Sequence, residues 1–151
     1  MDTSKRYIKM CRRADEIRRF WKPELGDYFF GIPQDFADLD FETGIYQFLD
    51  CEDDFYCVVP DNYDPVKKEF TGIGEDDEAV FLPRQDNLQK MIDYELPYDL
   101  IKDFSEWTAQ LDISMKERLQ TMEQIWLAYV MWKNYSKIWT GNDWEHVSYN
   151  K

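Results

Sequence analysis

Histidine is the scarcest functional group in this chain: His146 stands alone among 151 residues. Catalysis by a His-assisted Ser or Cys needs an imidazole within hydrogen-bond reach, and a lone histidine beyond the last helical pattern reads as a surface or capping residue. The same scarcity removes most zinc arrangements, which draw on several His and Cys ligands. Cysteine is nearly as rare. Cys11, Cys51 and Cys57 are odd in number and form no Cys-x-x-Cys pair, so free thiols and a cytoplasmic address are expected. No apolar run approaches the roughly 20 residues that span a bilayer. Met1 to Arg6 lead into a charged amphipathic pattern instead of a signal-peptide core, so no membrane association is expected. Gly72-Ile73-Gly74 lacks a following Lys-Ser/Thr and a βαβ setting, and therefore reads as a loop, not a phosphate cradle.

Cations are scarce in one place only. Residues 1–22 carry eight basic and three acidic side chains, net +5; residues 23–78 carry two and seventeen, net −15; residues 79–151 carry eight and eleven, net −3. Such a field repels phosphate backbones and anionic membranes, so direct nucleic-acid binding is disfavoured over most of the surface. A basic protein surface is the expected partner.

What the chain has in quantity is aromatic and carboxylate side chains: ten Phe, ten Tyr, six Trp and 31 Asp plus Glu. A chain of this length buries a core covering about 68–70% of its unfolded surface, and we expect one α+β domain over 1–151. Advancing 100° per residue places Tyr7, Met10, Cys11, Ala14, Ile17 and Trp21 on one arc, which predicts a basic amphipathic helix over 1–22 with Arg18 snorkelling and Pro23 and Gly26 as its stop. Residues 23–83 form the acidic strand and loop region. Tyr28–Phe30, Ile45–Leu49, Phe55–Val59 and Ala79–Leu82 predict a small antiparallel sheet of three to four strands. Asp50 to Asp54 would form a hairpin connection, and Asp35–Asp40 and Asp61–Asp77 acidic loops.

The helical region runs over 84–141. Leu88, Met91 and Ile92 share the face of a short helix; Pro97 opens a second, with Leu100, Ile101, Phe104, Trp107 and Leu111 spaced for burial. Ser114-Met115-Lys116-Glu117 matches a capping box and predicts the start of a long helix. Met115, Leu119, Met122, Ile125, Trp126, Tyr129 and Trp132 continue its stripe, and Gly141 supplies the stop. Residues 142–151 are a tail. Helix, strands, helices in that order imply that the N-terminal helix and the C-terminal set pack the sheet. An aromatic helix face closes a dimer as readily as it covers a sheet, so oligomeric state stays open.

Carboxylates are the only abundant chemistry. Asp50, Glu52, Asp53 and Asp54, and Glu75, Asp76, Asp77 and Glu78, are the candidate partner-binding clusters, but neither has EF-hand spacing, and no metal or other cofactor is expected. No catalytic residue is identified: an acid/base carboxylate pair requires a cleft geometry that spacing does not supply. Asn134-Tyr135-Ser136 matches a glycosylation sequon by coincidence, since it lies on a predicted helix. The Trp-rich stripe reads as core, whereas Trp139 and Trp144, beyond it, are candidate exposed aromatic anchors.

Phe20-Trp21-Lys22-Pro23 with Gly26-Asp27, then Phe81 to Leu88, then Met122 to Ala128 with Trp139-Thr140-Gly141, resemble small proteins encoded by phages and prophages of Gram-positive bacteria. The resemblance implies no catalytic residues. The expectation is thus a non-enzymatic interaction factor, a phage accessory protein whose acidic face binds a basic surface and, in a sharper form, imitates nucleic-acid phosphates. The alternative is a small hydrolase using clustered carboxylates and a divalent metal.

Overall fold

The structure, a computed structural model, describes residues 1–19, 24, 26–31, 44–51, 54–58 and 80–147. It combines helices with antiparallel sheet, as the α+β pattern predicts, and its residues fall into two compact units, Met1–Glu16 with Pro83–Lys151 and Ile17–Leu82. Trp21, Pro23, Val59, Ala79, the 35–40 and 61–77 loops and residues 148–151 lie outside the described residues. Among the described residues no helix is long and apolar enough to cross a membrane.

The Ile17–Leu82 unit holds a four-stranded sheet of β1 (Tyr28–Gly31), β2 (Gly44–Cys51), β3 (Asp54–Val58) and β4 (Val80–Leu82), in the order β3-β2-β1-β4. All three pairings are antiparallel. The aromatic runs form strands because they pack across the ladder: Phe29 stands opposite Tyr46 on one side and Phe81 on the other, and the Phe29 and Tyr46 rings stack at 5.6 Å. All three are buried. Entry into β1 is set by a turn in which Asp27 accepts from the Glu24 N–H at 3.1 Å and donates its own N–H to the Glu24 carbonyl at 3.0 Å. Gly26 sits there at φ +88°, a conformation open to glycine, and its carbonyl accepts from Gln47 Nε2 at 3.1 Å. The β2–β3 ladder ends at Cys51 opposite Asp54.

In the other unit the first helix is shorter than expected. α1 runs Lys5–Arg12, and a separate turn, α2, covers Asp15–Arg18. The Arg13 N–H still reaches Lys9, but the Ala14 N–H bonds only three residues back, to Cys11 at 3.1 Å, and this tightened turn ends the helix. The predicted apolar arc is nonetheless buried at Tyr7, Met10, Cys11, Ala14 and Ile17, while Arg18 is exposed. α3 (Gln85–Lys90) and α4 (Pro97–Gln110) match the expected helices, and Pro97 occupies the opening position of α4. Leu88, Ile92 and Trp107 are buried; Ile101 is not, because Leu100, Phe104, Trp107 and Leu111 complete the inner face and leave it on the rim.

The long helix predicted from Ser114 is two helices, α5 (Ile113–Arg118) and α6 (Met122–Tyr135). Asp112, not Ser114, caps α5, accepting from the Met115 N–H at 2.7 Å. Leu119 takes an extended conformation, and Thr121 starts α6 by accepting from the Gln124 N–H at 3.3 Å. Gln124 reaches back to the Gln120 N–H at 3.0 Å, so the working cap signature is Thr121-x-x-Gln124. α6 is the buried post of the unit: Gln124 and every residue from Trp126 to Met131 are buried. It stops at Ser136, which adopts the left-handed conformation at φ 55°, ahead of the expected Gly141.

Residues 137–139, expected to end the helical region, and residues 144–146, in the expected tail, instead form a hairpin, β5 (Lys137–Trp139) and β6 (Trp144–His146), closed by the Trp139–Trp144 pair. Gly141, at φ +102°, lies in its turn.

Cap assignment is open to a direct check. Thr121→Ala removes the cap of a buried helix and is expected to lower unfolding free energy by about 1–2 kcal/mol in urea titration, whereas Ser114→Ala, at an exposed position, changes it by less than about 0.5 kcal/mol.

Candidate functional site

Of the residues expected to contact a partner, only some are placed. Asp50 and Asp54 lie at the same end of the β2–β3 ladder, Asp50 opposite Phe55 and Asp54 opposite Cys51. Glu52, Asp53, Glu75, Asp76, Asp77 and Glu78 lie outside the described residues. Asp27 is buried in the turn before β1, which withdraws one carboxylate of the acidic centre from any partner.

Trp139 and Trp144 are not exposed anchors. Both are buried, their rings 5.1 Å apart, and the Trp144 indole N–H donates to the Met10 carbonyl at 2.9 Å. Aromatic pairing across the hairpin and a bond to the end of α1 explain the burial. Two cations serve the same contact: Lys9 of α1 donates to Asn142 Oδ1 at 2.7 Å, and Arg13, just beyond the helix, lies 4.0 Å from the Asp143 carboxylate. Arg6 donates to the Arg118 carbonyl at 3.0 Å. All three stay exposed while they tie the helix to the C-terminal part of the chain. His146, in β6, is exposed, as a surface residue should be.

Two polar clusters were not foreseen. Asp2 is buried at the start of α6, where one oxygen accepts from Thr121 Oγ1 and Gln124 Nε2, both at 2.6 Å, and the other from the Ser4 N–H at 2.8 Å. Burial pushes its pKa up, but these hydrogen bonds, from Thr121 first, outweigh that and hold it below the ordinary value.

The second cluster centres on Asp103 of α4. A single oxygen, Oδ2, accepts from Tyr129 Oη at 2.5 Å, from Lys133 Nζ at 2.7 Å and from Tyr94 Oη. Tyr129 and Lys133 are one turn apart on α6, and Lys133 also stands 5.4 Å from the centre of the Tyr94 ring. Hydrogen bonds from Lys133, then Tyr129 and Tyr94, hold the Asp103 carboxyl down at about 2. Burial and the Asp103 anion push Tyr129 up, and the same carboxylate raises Lys133. Beside the cluster, Phe104 stacks flat on Trp126 at 3.8 Å, and Trp107 packs against Tyr129 and Trp132.

A carboxylate this acidic, with Tyr129 and Lys133 held protonated beside it, is a poor proton acceptor at neutral pH. The arrangement clamps α4 to α6. No local pattern betrays it, since its members are scattered over 94–133 and meet only in the folded chain. Among the described residues no group of three His, Cys, Asp or Glu is placed to hold a metal ion. Comparisons with protein-family models, curated proteins and solved structures found no match to this chain.

Because the folded pKa of Asp103 lies below its ordinary 3.8, its contribution to stability is full above that value and is lost as pH falls toward about 2. The side chain is about a third exposed, so solvent screening limits the effect; Asp103→Asn is expected to cost about 1–2 kcal/mol at neutral pH. Urea melts across pH should show the difference from the parent chain narrowing below about pH 4.

Proposed function

We propose that this protein is a non-enzymatic interaction factor whose acidic centre engages a basic protein surface. The observation that carries the reading is the net −15 of residues 23–78, seventeen carboxylates against Lys67 and Lys68. The register of β2 and β3 supports it by bringing Asp50 and Asp54 to one end of the two strands. Concentrated charge of one sign accelerates encounter with an opposite surface and selects against partners of like sign. In its sharper form the carboxylates stand in for nucleic-acid phosphates and occupy a cationic channel on a DNA- or RNA-binding protein. The resemblance to phage-encoded proteins suggests an accessory role during infection.

Pull-down from a bacterial lysate, at low and high salt, tests the reading. Partners should be basic, their retention should fall at least tenfold between about 50 and 200 mM salt, and duplex DNA should compete if mimicry holds. Neutralising Asp50, Glu52, Asp53 and Asp54 to Asn or Gln should weaken retention without unfolding the chain. Acidic partners, or binding indifferent to salt, would exclude the proposal.

A further inference from the structure

The outward face of α4 carries a second feature, distinct in sequence from the acidic centre. Tyr98 and Ile101 are 73% and 61% exposed, and Leu96, immediately before the helix, is 59% exposed. Tyr98 and Ile101 are three residues apart and share one side of the helix; Ser105 and Ala109, both exposed, continue that side for about 16 Å. Trp107 is buried on the opposite side, and Phe104 stacks on Trp126, so α4 cannot rotate to hide Tyr98 and Ile101 without breaking the Asp103 clamp and the aromatic stack. Asp99 and Glu106 stand beyond one edge of this line on the helix with Lys102 between, and Asp93 and Glu95 precede the helix; all four carboxylates are exposed, against the one exposed cation of α4, Lys102. None of these four carboxylates forms an ion pair among the described residues.

We infer that this face is a docking surface for a basic amphipathic helical segment of another protein, with the partner's apolar side on Tyr98, Ile101 and Leu96 and its Lys or Arg residues facing Asp99 and Glu106. Charge decides the occupant. A phosphate backbone or an anionic membrane would be repelled by the border, and a second copy would oppose one acidic border with another on chains of net charge −13. A cationic helix satisfies both the apolar strip and the unpaired carboxylates.

The test uses the full-length ¹⁵N-labelled chain and a synthetic Leu/Lys amphipathic peptide of about 18 residues, with a scrambled peptide of the same composition and a Leu/Glu counterpart as controls. Amide shift changes should centre on residues 96–106. Tyr98→Ser with Ile101→Ser should weaken binding at least tenfold, and Asp99→Asn with Glu106→Gln should weaken it and flatten its salt dependence; all four positions are exposed, so the variants should keep the parental circular dichroism. Equal binding of the scrambled or Leu/Glu peptide at this face, or an affinity unchanged by the Tyr98 and Ile101 substitutions, overturns the inference. Shifts confined to 23–78 also overturn it while leaving the acidic-centre proposal standing. A dimer in sedimentation that Tyr98→Ser with Ile101→Ser dissolves assigns the face to a second copy and overturns it too.

Discussion

The helical unit depends on α6, whose middle is dry and whose first turn is held by hydrogen bonds from outside the helix. It is buried from Trp126 to Met131, and its opening amides have no carbonyl partner within the helix. Thr121 supplies one partner, and the Asp2 carboxylate, bonded to Thr121 and Gln124, brings a negative charge to the positive end of the helix. Around that post sit α1, α3 and β5. The Asp103 clamp then fixes α4 with a charged hydrogen-bond set at the rim, where a buried pair would have been costly.

The two polar clusters share a logic. Each uses a carboxylate from one part of the chain to accept several donors from α6, and each has its pKa held low as a result. Ionisation is thereby tied to folding. In neither cluster is the carboxylate poised to take a proton at neutral pH.

The legible parts of the sequence were those where one periodicity held without interruption. The four strands were readable as short aromatic and β-branched runs, and in β1, β2 and β4 the burial of Phe29, Tyr46 and Phe81 drives the pairing. Along the helices, burial was more legible than continuity: Ala14 and Leu119 are buried as their stripes required, yet each sits where the helix breaks. A 100° count cannot register a tightened last turn or an extended residue between two caps. Ser114-x-x-Glu117 and Thr121-x-x-Gln124 both fit the capping template, and only the second is used, because Asp112 reaches the α5 amide first. The terminal hairpin escaped because three-residue strands are too short for any period, and Ser136, not a glycine, takes the left-handed turn before it. With it went the correct reading of Trp139 and Trp144. The acidic clusters at 50–54 and 75–78 were visible as charge, whereas the Asp103 clamp and the α4 strip exist only through tertiary placement.

The attachment of α1 to the far end of the chain bears on how the protein is made. Its bonds run from Asp2 to Gln124, Arg6 to Arg118, Lys9 to Asn142 and Met10 to Trp144, separations of 112 to 134 residues. During synthesis the first helix leaves the ribosome with Tyr7 and Met10 uncovered, and every partner it needs is still untranslated. Most of the chain must emerge before that segment can settle, so its apolar arc is covered last although it is made first.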